Sequence, residues 1–280
     1  MLIIAVICVS AVQAQKKIGG LALYTVRAQM GESPKETLKE VSDIGYRNIE
    51  AAGYQDGTFY GMPPSEFKTY LKEIGLNPVS THQSSVTLEN ADQQIADAKA
   101  AGFTYFVVPI PPMGMFAYNQ EEQKMYMKGT AQELADVLQQ LGAKCKAAGL
   151  QLLYHNHNFE FEEDSEGRII LDYLLENTDP ENVNFQLDLY WATRASVDPV
   201  AYFEKYPGRF KSWHVKDMDT EGRFAPVGTG TIDFQRIFDY KKLSGMEFYF
   251  VEQDRTFDGQ EPLEAIRISH GALEKIKDAN

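Results

Sequence analysis

Hydrophobic and polar positions follow one repeating rhythm along the chain, a short apolar run followed by an amphipathic stretch. The apolar runs have strand length, and most amphipathic stretches end at a glycine. Strands that alternate with helices are typical of a parallel sheet. The predicted strands cover residues 18–25, 46–52, 77–82, 103–109, 150–157, 182–188, 210–217 and 247–254, and the predicted helices cover 33–45, 64–75, 88–102, 129–149, 168–178, 198–208, 233–245 and 261–279.

The number of strand–helix units predicts the architecture. Eight units in one chain of this length favour a closed barrel over an open doubly wound sheet. No GxGxxG motif follows the first strand, which weakens a dinucleotide-binding interpretation, and no linker or low-complexity tract divides the chain. We therefore predict one α/β domain, a single (β/α)8 TIM barrel, over residues 15–280.

Residues 1–14 differ in character from the units that follow. An apolar run at 2–12 leads to Val12-Gln13-Ala14, which has small residues where a signal peptidase cleaves. The alternative is a buried N-terminal strand. The run is too short to span a bilayer comfortably, so we expect no stable membrane anchor. We expect 1–14 to be a signal peptide and the protein to be periplasmic or secreted.

Charge and cysteine content limit the partners. The 40 acidic residues outnumber the 27 lysines and arginines, giving a formal net charge of -13. Such acidity argues against nucleic acid as a partner. After cleavage only Cys145 remains, so no intramolecular disulfide can form. Association into a homo-oligomer stays open.

Polar side chains end four of the apolar runs in the C-terminal half. The carboxyl ends of barrel strands meet at one face, where the active sites of such barrels lie. Carboxylate and imidazole together suit a divalent metal ion such as Mn, Zn, Co or Fe. The strand-end residues are His155 and His157, then Asp188, His214 and Glu252.

Six motifs then carry a resemblance to a known family. In chain order they match the xylose-isomerase-like TIM barrel superfamily, to which sugar phosphate isomerases and epimerases, endonuclease IV and inosose dehydratases belong. The resemblance covers nearly the whole predicted domain. The motifs are GYRNIEAAG (45–53), AGLQLLYHNHNFEF (148–161), QLDLYW (186–191), WHVKDMD (213–219), PVGTGTIDF (226–234) and YFVEQD (249–254).

The resemblance implies a metal ion held by Glu, Asp, His and Glu from the last four strands. Asp188, His214 and Glu252 match the last three ligands. The first ligand stays open, because this chain has His155-Asn156-His157 where many relatives have Glu-Asn-His. Either His155 replaces the glutamate, or Glu160 supplies the carboxylate. We prefer Glu160, which keeps the ligand set acidic and leaves His155 or His157 free to transfer a proton.

The same residue types suggest proton transfer beside a sugar carbonyl. Glu252 is a candidate to act as both ligand and acid or base, and Lys216 is a candidate to bind a developing oxyanion. Candidate substrate-binding residues are Glu50 and His82 at strand ends of the N-terminal half, and the aromatic residues Tyr190 and Trp191, which follow Asp188.

Three classes of function fit these residues, all with a small-molecule sugar as partner. The first is a secreted, metal-dependent sugar isomerase or epimerase. The second is a lyase or dehydratase acting on a keto sugar or keto-glycoside, in which the same enolate expels a leaving group. The third is a non-catalytic carbohydrate-binding barrel, which needs no complete set of metal ligands.

Overall fold

Eight parallel strands hydrogen-bond into a closed ring in which sequence neighbours are also neighbours in space. The computed structural model describes residues 18–121, 124–277 and 279. The predicted (β/α)8 barrel is confirmed, and each strand lies within its predicted segment. The strands are β1 (Gly19–Ala22), β2 (Asn48–Ala51), β3 (Asn77–His82), β4 (Tyr105–Val108), β5 (Gln151–His155), β6 (Val183–Asp188), β7 (Phe210–Val215) and β8 (Phe248–Val251).

Helices surround this ring. The predicted helix at 233–245 is two shorter helices, and the helices at 27–32 and 189–194 were not predicted. The helices span Arg27–Glu32, Pro34–Ile44, Pro64–Glu73, Ala91–Ala101, Ala131–Ala148, Ile170–Asn177, Leu189–Arg194, Pro199–Lys205, Phe234–Phe238, Lys241–Ser244 and Pro262–Leu273, with 3-10 turns at Leu23–Val26 and Phe159–Phe161.

Three small antiparallel ribbons lie in the connections that follow strands β2, β4 and β7. They pair Tyr54–Gln55 with Thr58–Phe59, Phe116–Asn119 with Lys124–Met127, and Asp217–Met218 with Phe224–Ala225. No helix of the described ranges is both long and apolar enough to cross a membrane. The predicted signal peptide, 1–14, lies outside the described residues.

Two apolar layers hold the barrel together. A large cluster fills the space between strands and helices, and a small cluster fills the barrel interior. The interior cluster includes Leu153 and Phe250, which lie two positions before His155 and Glu252 on the same faces of their strands. The apolar interior therefore forms a floor beneath the polar residues at the carboxyl ends of the strands.

Candidate functional site

A cavity of about 420 Å³ opens at the carboxyl ends of the strands. This is the face at which the sequence placed the strand-end residues, and it is where barrels of this type bind their ligands. One wall of the cavity is polar. It is formed by His82, His155, His157, Lys216, Glu252 and Asp254.

Asp188, His214 and Glu252 converge beside this cavity, as their positions at the ends of β6, β7 and β8 predicted. One ligand atom from each lies within 4.8 Å of the others, and all three residues are buried. His214 Nδ1 is 2.8 Å from Glu252 Oε2 and 3.8 Å from Asp188 Oδ2. Two carboxylates and an imidazole thus face one point, a donor set that suits a divalent transition metal.

Glu50 supports this group from beneath. Its Oε1 is 2.5 Å from His214 Nε2 and 3.0 Å from His82 Nε2, while its Oε2 accepts hydrogen bonds from Ser80 and Gln186. A carboxylate on Nε2 orients the ring so that Nδ1 faces the other two ligands, as in many carboxylate–histidine–metal arrangements. Glu50 is only 1% exposed and lies below the cavity wall, rather than on it.

The charges of these groups depend on one another. Burial lowers the pKa of His214, but the carboxylates of Glu252 and Glu50 outweigh burial and raise it to about 10. Burial raises the pKa of Glu252, but His214 and Lys216 hold it well below its usual value. Without a metal ion His214 is therefore an imidazolium, and a metal ion must displace its Nδ1 proton in order to bind.

Lys216 lies among three carboxylates. Its Nζ is 2.7 Å from Glu252 Oε2, 2.7 Å from Asp254 Oδ1 and 3.0 Å from Asp188 Oδ2. Burial lowers its pKa, but these carboxylates reverse the effect and raise the pKa well above its usual value. Burial raises the pKa of Asp254 to about 6, against the opposing effect of Lys216. The ammonium group is thus a fixed positive charge at the cavity wall.

These groups fit a divalent cation. Asp188 Oδ2 is buried and accepts no hydrogen bond from the described residues, since Lys216 lies at ion-pair distance but off a hydrogen-bonding direction. Four carboxylates, Glu50, Asp188, Glu252 and Asp254, face two cationic groups, His214 and Lys216. The cluster therefore carries two excess negative charges, and three once His214 has lost its Nδ1 proton, most of which a divalent ion would offset.

His155 and His157 both line the cavity. His155 Nε2 is 4.0 Å from Asp188 Oδ2, and its Nδ1 is 3.1 Å from Gln186 Oε1. Burial lowers the pKa of His157 to about 3, with a further contribution from Lys216. Burial likewise holds the pKa of His155 well below its usual value. Both imidazoles are neutral at pH 7, as expected for bases beside a cation.

Glu160, the preferred first ligand, lies apart from the group around His214. Its Oε1 accepts a hydrogen bond from the Tyr154 hydroxyl at 2.8 Å, and its Oε2 accepts one from the His157 backbone N–H at 2.7 Å. The carboxyl group is fully buried, and burial raises its pKa to about 8. Of the two alternatives for the first ligand, His155 places Nε2 4.0 Å from Asp188 Oδ2, whereas both carboxylate oxygens of Glu160 bond to other groups and Glu160 is absent from the converging sets of ligand atoms.

This environment predicts a pH-dependent effect of Glu160→Gln. Because the folded-state pKa is raised, the contribution of Glu160 to stability is fully present below its ordinary pKa of 4.5 and is lost as the pH rises through about 8. Between pH 4.5 and about 8, the free energy of unfolding of the wild-type protein should therefore fall by about 2–4 kcal/mol more than that of Glu160→Gln. Urea unfolding at a series of pH values measures the difference.

Glu162→Gln is the matched control, because Glu162 is half-exposed and pairs with Lys124 at 2.7 Å. It should leave the pH dependence of stability unchanged. Glu160→Gln should also retain bound metal, since Glu160 lies outside the converging group. Loss of metal in this variant would restore Glu160 as the first ligand.

Of the two aromatic residues predicted to bind substrate, Trp191 lines the cavity and Tyr190 does not. Trp191 lines the cavity and packs against His157, with ring centroids 5.6 Å apart. Tyr190 is only 3% exposed, its hydroxyl donates to the Gly222 carbonyl at 2.7 Å, and its ring packs against Trp191 and Phe224. Tyr190 therefore lies behind the cavity wall and supports Trp191.

Two polar residues of the site were not singled out from the sequence. Gln186 donates to Glu50 Oε2 at 2.7 Å and to Ser212 Oγ at 3.2 Å, and its Oε1 is 2.9 Å from His82 Nε2. Asp254 lies two residues beyond Glu252 and reaches the same wall. The sequence signal that could have found them is the alternation of side chains along a strand, because Gln186 lies two residues before Asp188 and Asp254 two residues after Glu252.

Comparison with known proteins agrees with this architecture. Residues 38–266 match the family model described as xylose isomerase-like TIM barrel. An inosose dehydratase of Clostridium beijerinckii is 28% identical over 253 residues, which cover 79% of this chain and 75% of that protein. The match to the inosose dehydratase of Lacticaseibacillus casei, also 28% identical, spans 44% of this chain and only about half of that protein, 47%.

Solved structures show the same relationship. A sugar phosphate isomerase/epimerase from Parabacteroides distasonis has a TM-score of 0.79 at 27% identity, covering 95% of this chain and all of that one. A zinc-bound IolI protein shares the fold, with a TM-score of 0.67 at 15% identity and coverage of 92% and 97%. The matched region includes every strand-end residue described above. The chain belongs to the xylose isomerase-like TIM barrel family.

Proposed function

We propose that this protein is a metal-dependent enzyme that removes a proton beside the carbonyl of a keto sugar and returns it, as an isomerase or epimerase. The convergence of Asp188, His214 and Glu252 at the edge of a ligand-sized cavity is the observation that carries this proposal. Membership of a family that contains isomerases, epimerases and dehydratases supports an enzymatic role.

The proposed ligands are Asp188, His214 and Glu252, with His155 as the fourth. The candidate ions are Mn, Zn, Co and Fe, which suit mixed carboxylate and imidazole ligands. When bound, such an ion supplies Lewis-acid stabilisation of the negative charge that develops on the carbonyl oxygen. The zinc of the IolI structure supports a divalent ion in this fold.

The proton is proposed to move through residues of the polar wall. His157 lines the cavity and its Nδ1 has no hydrogen-bond partner among the described residues, so this ring nitrogen is free to accept a proton from the substrate. Glu252 is the second candidate, because its carboxylate reaches the same wall. Lys216 places a positive charge beside both groups and favours the anionic form of the substrate.

Elimination is the second candidate function. Two observations favour it: the inosose dehydratase relatives, and Asp254, whose carboxyl group faces the cavity with a pKa raised to about 6. An acid with such a pKa can protonate a departing hydroxyl or sugar oxygen near neutral pH. The enzyme would then be a dehydratase or lyase for a keto sugar or keto-glycoside.

One experiment tests the proposed reaction and separates these candidates. Metal-loaded protein is incubated in deuterium oxide with a panel of keto sugars and keto-glycosides, and products are followed by NMR. We expect solvent deuterium to enter the carbon beside the carbonyl. A product of the same mass apart from deuterium indicates an isomerase or epimerase, and loss of water or of an alcohol indicates elimination. Turnover with full retention of the carbon-bound hydrogen would contradict proton abstraction.

We propose in addition that the protein is exported. The apolar run at 2–12 and the small residues at the end of 1–14 support this proposal. Mass spectrometry of protein from its native host should find a mature N-terminus near Gln15. An intact Met1 would contradict export.

A further inference from the structure

We infer that the substrate is an uncharged keto-glycoside with an apolar substituent, rather than a sugar phosphate. This inference rests on the proposed function and concerns the substrate class of the same cavity. Three features carry it: the charges that line the cavity, the backbone amides of a glycine-rich loop beside it, and the apolar part of its lining.

Among the residues that the structure describes, no lysine or arginine of the cavity lining is free to bind a phosphate group. Lys216 is the only lysine or arginine among the residues that line it, and three carboxylates already surround its ammonium group. Arg223, on a neighbouring loop, is held by Asp219 at 2.7 Å and also faces two further carboxylates. Phosphate recognition in proteins relies on Arg or Lys in hydrogen-bonding reach.

Backbone N–H groups of the glycine-rich loop at 226–234 converge on one anionic group, but that group is a carboxylate of the chain itself. The backbone N–H groups of Gly228 and Gly230 both donate to Asp217 Oδ2 at 2.9 Å, and that of Ile232 donates to Oδ1 at 3.2 Å. Asp217 is only 1% exposed. A Cβ atom at Gly230 would collide with this carboxylate, so the glycine permits the close approach. Backbone amides that bind anions in other proteins are here satisfied within the chain.

Much of the remaining cavity lining is apolar, and this part is called the apolar wall. It includes Tyr24, Pro109, Ile110, Met125 and Trp191, and Met125 lies on the ribbon after β4. The volume of about 420 Å³ is within the range of sites that enclose drug-sized ligands, which are larger than one sugar ring. A sugar ring at the polar wall therefore leaves room for a substituent, and an apolar substituent matches the surface that faces it.

Binding of unreactive ligands tests this inference without turnover. Manganese-loaded protein is titrated calorimetrically with methyl β-glucoside, phenyl β-glucoside and phenyl β-glucoside 6-phosphate, which lack the carbonyl needed for reaction. We expect the phenyl glycoside to bind about tenfold more tightly than the methyl glycoside and than its own 6-phosphate. Equal or tighter binding of the phosphate overturns the inference, and so does a failure of all three to bind.

A variant that carries a positive charge on the apolar wall tests where the substituent binds. Met125→Lys should weaken binding of phenyl β-glucoside and strengthen binding of its 6-phosphate, whereas Tyr126→Lys should change neither. Tyr126 is the next residue of the same strand, so its side chain points to the other face of the ribbon; it is 44% exposed and does not line the cavity. An unchanged preference in Met125→Lys would overturn the placement of the substituent.

Failure of this inference and failure of the proposed function are distinguishable. A preference for the phosphorylated ligand together with solvent deuterium incorporation leaves the proposed function intact. In the reverse case, the protein prefers the phenyl glycoside but exchanges no proton in any keto sugar. This result would support the inferred substrate class and contradict the proposed proton-transfer reaction.

Discussion

Asp188→Asn should abolish bound metal and reduce turnover by about 100-fold or more, because it removes a buried carboxylate oxygen that lies beside His214 and Glu252 and has no hydrogen-bond donor among the described residues. The amide is nearly isosteric and can still accept the hydrogen bond from the Trp191 backbone N–H that begins the helix at 189–194. The loss should therefore appear without unfolding. Metal content by elemental analysis and turnover of the same preparation measure the two effects.

The control is Asp219→Asn, since Asp219 is an acidic residue on a loop outside the polar wall and pairs with Arg223 at 2.7 Å. It should keep both metal and activity. A full metal complement in Asp188→Asn would show that the ion binds elsewhere.

Lys216→Met should have the largest effect on stability. The Lys216 ammonium group is the positive charge shared by the buried carboxylates of Asp188 and Glu252. Removing one partner of a buried ion pair costs roughly 3–5 kcal/mol, because the other charge stays buried without compensation. Metal-free Lys216→Met should therefore lose about that much free energy of unfolding at pH 7. Added divalent metal should recover part of the loss, because it replaces the missing charge beside Asp188 and Glu252.

Lys216→Met should lower turnover without weakening metal binding. Lys216 competes with a metal ion for the oxygens of Asp188 and Glu252, so its removal should not weaken metal binding. Turnover should fall by about 100-fold, because the positive charge that favours the anionic intermediate is gone. Lys205→Met, at a half-exposed lysine paired with Asp172, should alter none of the three quantities. Loss of metal in parallel with turnover would contradict this role.

Much of the fold follows from local patterns in the sequence. The strand predicted at 77–82 has the same bounds in the structure, and the strand predicted at 182–188 begins one residue later; both end at a polar residue, His82 or Asp188. The helix at 189–194 was missed because its first residues read as the end of a strand motif. Asp188 both faces the proposed metal site and caps this helix through Oδ1, so one residue serves two elements.

The residues of the candidate site that lie at strand ends were predictable from the sequence. Asp188, His214 and Glu252 end successive strands, and a closed parallel barrel brings such ends together. The side-chain directions of residues in the loops between strands and helices were harder to predict, because loops have no regular periodicity. Glu160 lies in a 3-10 turn that directs its carboxylate to Tyr154 and the His157 N–H, and no local sequence signal revealed this.

Anomalous diffraction from crystals grown with manganese would test the metal centre most directly. We predict one strong peak at the carboxyl ends of the strands, roughly 2.0–2.3 Å from Asp188 Oδ2, His214 Nδ1 and an oxygen of Glu252. The Lys216 ammonium should have moved away from at least one of these oxygens. A fully occupied peak elsewhere in the molecule, or no peak at saturating manganese with the three side chains still paired to Lys216 and Glu50, would contradict the account.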